Sequence, residues 1–127
     1  MTTTVKAMLA VANDCVPRVT PADAMKLMAE GETLVLDVRD APEVEKTGKI
    51  TGALNVSRGL LEFRADPELP TWNQRFAKDK TVLVYCASGG RAALGGKLLQ
   101  DLGYTKVYNL GSIKDWVDAG GATEAAS

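Results

Sequence analysis

Two short apolar runs, the first ending in charge, most constrain how this chain can fold. Leu34-Val35-Leu36-Asp37-Val38 and Thr81-Val82-Leu83-Val84-Tyr85 lack the alternation of a strand with one wet face, and both are too short for a buried helix. Such runs suit strands covered on both faces, as in a parallel sheet packed between helices. The covers are also legible. Val5, Met8, Leu9, Ala12 and Val16 recur at helical spacing until Pro17 ends the pattern. Thr20 is a natural N-cap with Pro21 at the first helical position, and that helix runs through Ala24, Leu27 and Met28 to Gly31. Gly48 to Gly52 reads as a turn, Ala53 to Val56 as a brief strand and Gly59 to Arg64 as helical. Asp66 to Lys80, with Pro67, Pro70 and Trp72, reads as a long surface connection. Arg91 to Leu102 is helical, with Leu94, Leu98 and Leu102 on one face and Gly103 as the stop. Lys106 to Asn109 is a further strand and Ser112 to Ala119 a last helix. Strands alternating with helices predict an α/β fold with a mainly parallel sheet.

At 127 residues the chain is one domain without internal repeats. A net charge of −1 gives no reason to expect a nucleic acid or an anionic membrane as partner. No apolar run approaches the roughly 18 residues of a membrane span. Met1 to Asn13 makes a poor signal peptide, and two cysteines imply no disulfide framework, so a cytoplasmic location is expected. The chain has no histidine. That removes Ser-His-Asp and Cys-His catalysis and nearly all zinc sites, so no metal is expected and any nucleophile is activated without imidazole.

Cys86-Ala87-Ser88-Gly89-Gly90-Arg91 joins the clearest strand to the clearest helix. Two adjacent glycines let the backbone curl into a cup. Its N–H groups, with the N-terminus of the next helix, make an anion site that stabilises a thiolate at Cys86, aided by Arg91. The alternative is a small buried hydrophobe at a strand end. The glycine pair and the arginine argue against it. A Walker A loop would need glycine at position 91 and Ser or Thr at 98, where Arg91 and Leu98 stand, and no G-x-G-x-x-G occurs. Both Asp37 and Cys86 fall at the carboxyl ends of strands, where ligands of such folds gather.

Leu36-Asp37-Val38-Arg39 with Glu43, then Gly48-Lys49-Ile50-Thr51-Gly52-Ala53-Leu54-Asn55, then Cys86 to Arg91 together resemble a rhodanese homology domain, in order and spacing. The resemblance covers about residues 20 to 120, leaving residues 1–19 as a helical extension packed on the domain and residues 121–127 as a small-residue tail. It implies a three-layer fold, a mainly parallel five-stranded sheet flanked by helices, and a catalytic cysteine that becomes a persulfide. That role falls on Cys86, and the cup of amides on Ala87, Ser88, Gly89, Gly90 and Arg91. Asp37 matches an acid supporting the active-site loop. Arg39 and Glu43 match a structural pair tying the strand end to the next turn. Lys49 stands where family members often have histidine, at a position that supports structure. Leu110-Gly111-Ser112 replaces the usual Gly-Gly ahead of Trp116.

The activity implied is sulfur transfer from a thiosulfate-like donor to a thiol or cyanide, without a cofactor. A carrier passing sulfur between a protein donor and a protein acceptor would use the same loop. Phosphatases and arsenate reductases of this fold have one more residue between cysteine and arginine than the four found here. Among the other candidates, Arg58 is read as a surface arginine, with binding of an anionic donor as the alternative. Cys15, Trp72 and Trp116 are read as packing residues. Gly95 and Gly96, costly inside a helix by about 1 kcal/mol each, imply close approach of helix and sheet.

Overall fold

The computed structural model describes residues 2–126. The central sheet is parallel, in the order β3-β1-β4-β5, formed by β1 (Thr33–Asp37), β3 (Leu54–Asn55), β4 (Thr81–Cys86) and β5 (Lys106–Ser112). The fifth strand implied by the resemblance is reduced to one bridge. Arg18 pairs with Asn109 beside β5, with Val19 N donating to Asn109 O and Asn109 N donating to Pro17 O. Pro17 has no N–H, which stops the ladder from extending back along the chain. Thr123–Glu124 (β6), within the expected small-residue tail, pairs antiparallel with Lys49–Ile50 (β2).

Alternate residues of β1 and β4 point into two cores, as the strand period requires. Leu34, Leu36, Val38, Val82, Val84 and Cys86 pack with residues of α4 (Leu61–Ala65) and α5 (Gly90–Asp101), and with Val16 at the end of α1 (Val5–Cys15). Val35, Leu83 and Tyr85 pack on the other side, with Ala24 of α2 (Pro21–Glu30) and Trp116 of α6 (Ile113–Asp118). These are the three expected layers. The buried face of α5 differs from the expected leucine stripe: Ala92, Ala93, Gly95, Gly96 and Leu99 are buried, while Leu94, Leu98 and Leu102 are only partly so. The small residues bring α5 close to its neighbours. A β-carbon on Gly96 would lie 3.0 Å from Val16 and 3.3 Å from Val107 of β5, and one on Gly95 3.2 Å from Leu61.

The connection from Asp66 to Lys80 has no helix or strand, but Phe76 is buried at 1% exposure and packs edge-on to Tyr104. Trp72 is a partly buried packing residue and Trp116 a buried one. Cys15 corrects the packing expectation: it is exposed, because Leu9, Ala12 and Val16 form the inward stripe of α1 and position 15 falls beside it. No helix among the described residues is long and apolar enough to cross a membrane.

Candidate active site

Cys86 ends β4 with no exposed surface, and its Sγ lies under the start of α5. Gly89 N donates to Sγ at 3.0 Å and Ala92 N at 3.4 Å. The first four amides of a helix, counted from its N-cap, have no partner in its own ladder, and here the sulfur accepts two of them, as a capping side chain would. Gly89 reaches this position at φ +102, a conformation other residues rarely adopt. Its carbonyl accepts from Asn109 Nδ2 at 3.1 Å, which locks the loop to β5. Among the described residues, no protein group accepts from the amides of Ala87, Ser88, Gly90 or Arg91. Ala87 and Ser88 are exposed, so this part of the loop faces solvent. Of the residues expected to form the cup, Gly89 contacts the sulfur through its amide, and Ala92, outside that span, supplies the second contact.

The arginines are arranged differently from the sequence expectation. Arg91 does not reach Sγ with a hydrogen bond. Its Nη1 and Nη2 hold the Glu43 carboxylate at 2.6 and 2.8 Å. Glu43 sits at the third position of α3 (Ala41–Thr47), a helix unseen in the sequence, and also accepts from Asp40 N in a capping box. The expected Arg39–Glu43 pair is therefore absent. Arg39 instead binds Asp37 through Nε and Nη2, at 3.0 and 2.6 Å, and caps Thr47 Oγ1 and Gly48 O. The Arg91–Glu43 bond holds the Glu43 carboxyl down at about 2, and the same bond raises the guanidinium above its ordinary value.

Asp37 is likewise not beneath the loop. The register pairs Asp37 with Tyr85, so its side chain belongs to the layer opposite Cys86. There it anchors Arg39, which lies over the Tyr85 ring, while Tyr85 OH accepts from Ile50 N. Arg58 bonds Glu62 at 3.1 Å and lines a groove of about 380 Å³ with Met8, Leu94 and Leu98, and among the described residues its side chain forms no hydrogen bond to Cys86 or its loop. Lys49 Nζ binds Ala53 O at 2.7 Å, a structural tie as expected. In the Leu110-Gly111-Ser112 segment, Ser112 Oγ caps α6 through Asp115 N, and Gly111 takes φ +90 beside Arg18.

A rhodanese-like domain profile matches residues 20–119. The chain belongs to the rhodanese-like domain family. This rhodanese-like domain is 32% identical over 80 residues to the thiosulfate sulfurtransferase PspE of Escherichia coli (strain K12), covering 63% of this chain and 70% of that one. It is 32% identical over 98 residues to a sulfurtransferase of Allochromatium vinosum, covering 76% and 83%. A solved structure from Rhodopseudomonas palustris, described as of unknown function and a possible tyrosine phosphatase, superposes with a TM-score of 0.88 at 40% identity, covering 98% and 96%. The domain also resembles tRNA uridine(34) hydroxylases, of which it spans only part: 28% of the Onion yellows phytoplasma enzyme, at 31% identity over 93 residues and 71% of this chain.

The Arg91–Glu43 pair gives a pH prediction. A carboxyl lowered on folding adds stability above its unfolded value, near 4.5, and that stability is lost as pH falls towards about 2. Both groups are over a third exposed, so the pair is worth at most about 1 kcal/mol. Glu43→Gln keeps an acceptor for Asp40 N but loses the charge. Urea unfolding of both proteins should show a stability gap above pH 4.5 that narrows below it. A gap independent of pH would contradict the assigned ion pair.

Proposed function

We propose that this domain is a sulfurtransferase that carries sulfur as a persulfide on Cys86, with a thiosulfate-like anion as donor and a thiol or cyanide as acceptor. The observation that carries this reading is the set of loop amides. Two donate to Sγ, and four beside it have no protein acceptor. The Cys86 thiolate attacks the outer sulfur of the donor, the Sγ–S bond forms, and the old S–S bond breaks with its electron pair leaving on sulfite. In this reading the amides of Ala87, Ser88, Gly90 and Arg91, which donate to no protein group among the described residues, hold the negative outer sulfur. A nucleophilic acceptor then takes that sulfur and returns Cys86 as thiolate. Because Cys86 has no exposed surface, the donor reaches it only through a local opening of the structure around the loop. A protein donor or acceptor would meet the same loop and the same chemistry.

The description attached to the Rhodopseudomonas structure raises phosphate ester hydrolysis as the competing reading. Two features favour sulfur. Only four residues separate Cys86 from Arg91, which makes a small ring of amides. Arg91 would also have to release Glu43 before its guanidinium could hold a phosphoryl group. The test assays thiosulfate:cyanide transfer and aryl phosphate hydrolysis at matched enzyme concentration. Sulfur transfer with negligible hydrolysis is expected. Phosphatase turnover that needs Cys86, without sulfur transfer, would overturn the reading.

A further inference from the structure

We propose that Arg18 is the cation that draws an anionic sulfur donor to the Cys86 loop, and so sets donor specificity. The proposal rests on the sulfurtransferase reading and begins from its electrostatic difficulty: a thiolate must be approached by a second anion. The loop's own arginine, Arg91, is already paired in fork geometry with Glu43. Arg39 is likewise held by Asp37 and Arg58 by Glu62. Among the described residues, the Arg18 guanidinium has neither a carboxylate nor a hydrogen-bond partner, and the residue is exposed.

Its location is built by the fold. Pro17 and Val19, on either side, are fixed by backbone hydrogen bonds to Asn109. The side chain of the same Asn109 donates to Gly89 O and accepts from Gly111 N. Arg18 lies against both of those glycines. A β-carbon on Gly89 would stand 3.2 Å from Nη1, and one on Gly111 2.5 Å from Nη2 and 3.1 Å from Cζ. Both glycines have positive φ, so the backbone conformation favours glycine at each, and the guanidinium lies in the space this leaves. Gly89 in turn is the residue whose amide contacts Sγ at 3.0 Å. The uncompensated charge therefore abuts the residue that holds the sulfur. The occupant it favours is a sulfane donor with a separate anionic end, of the thiosulfate or thiosulfonate class.

The experiment compares wild type, Arg18→Gln and Arg18→Lys. With thiosulfate, Arg18→Gln should raise KM about fivefold at low salt, the scale of one exposed charge, with kcat little changed. Arg18→Lys should restore most of the loss. Raising ionic strength should weaken donor capture in wild type more than in Arg18→Gln. A second readout needs no turnover: the ratio of Cys86 alkylation rates by iodoacetate and by neutral iodoacetamide. Any opening of the loop is common to both reagents and cancels in the ratio, and exposed Cys15 serves as the control. The ratio at Cys86 should fall in Arg18→Gln and be retained in Arg18→Lys. An unchanged ratio, or loss of kcat with KM unaltered, would overturn the proposal. A ratio that falls in a protein forming no persulfide would keep the anion role and reject the sulfur reading.

Discussion

Cys86→Ser should leave a folded protein whose sulfur transfer falls to the assay floor, a loss on the order of a thousandfold or more. The hydroxyl is too weakly acidic to form the nucleophile, and an oxygen cannot become the persulfide. Folding should survive because serine offers the Gly89 and Ala92 amides an acceptor at the same place. The surrounding layer of Val38, Val84 and Ala92 also keeps its packing. Steady-state transfer with thiosulfate, alongside urea unfolding, separates the two expectations. Retained transfer in this variant would move the chemistry away from the loop.

Arg39→Ala should have the largest effect on stability, about 3–5 kcal/mol, a large share of what a domain of this size has. Arg39 is 2% exposed and Asp37 fully buried, so truncation leaves a carboxylate without its cation. The loss also strips Thr47 Oγ1 and Gly48 O of a donor and opens a void among the largest buried side chains. The cost comes mainly from isolating the charge, so the double variant Asp37→Leu/Arg39→Met should be more stable than Arg39→Ala alone. Urea midpoints with slopes for the three proteins test this. A penalty below about 1 kcal/mol for Arg39→Ala would contradict the buried pair. Sulfur transfer in whatever fraction stays folded should be little affected, because Asp37 and Arg39 lie in the layer opposite Cys86.

The fold was largely legible because β1 and β4 are built on short apolar runs and Thr20-Pro21 marks a helix start without tertiary help. The course of the cysteine loop was legible for a local reason, since strand, Gly-Gly turn and helix are contiguous, but its second amide contact to sulfur comes from Ala92, beyond Arg91. What failed depended on relations across the chain. Asp37 and Cys86 both end strands, but only the register that pairs Leu36 with Val84 puts their side chains on opposite faces. Arg39 and Glu43 are close in sequence, yet each finds a better partner: Arg39 the buried Asp37, and Glu43 the loop arginine 48 residues later. Arg18 stood in a segment read as an extension, and its neighbours Gly89 and Gly111 meet it only once β5 is in place. Two signals were available. Asn109, a polar residue midway along β5, marked where that strand holds the loop, and the glycine cap at Gly89 placed the Ala92 amide at the third helical position, facing back to the sulfur.

The central claim is tested most directly by intact mass measurement after incubation with thiosulfate, followed by peptide mapping. One added sulfur atom is expected, located on Cys86 although that residue is buried, and absent from exposed Cys15. Cyanide or a thiol should remove it. No added sulfur, or sulfur mapped to Cys15, would contradict the assignment of Cys86 as the sulfur carrier.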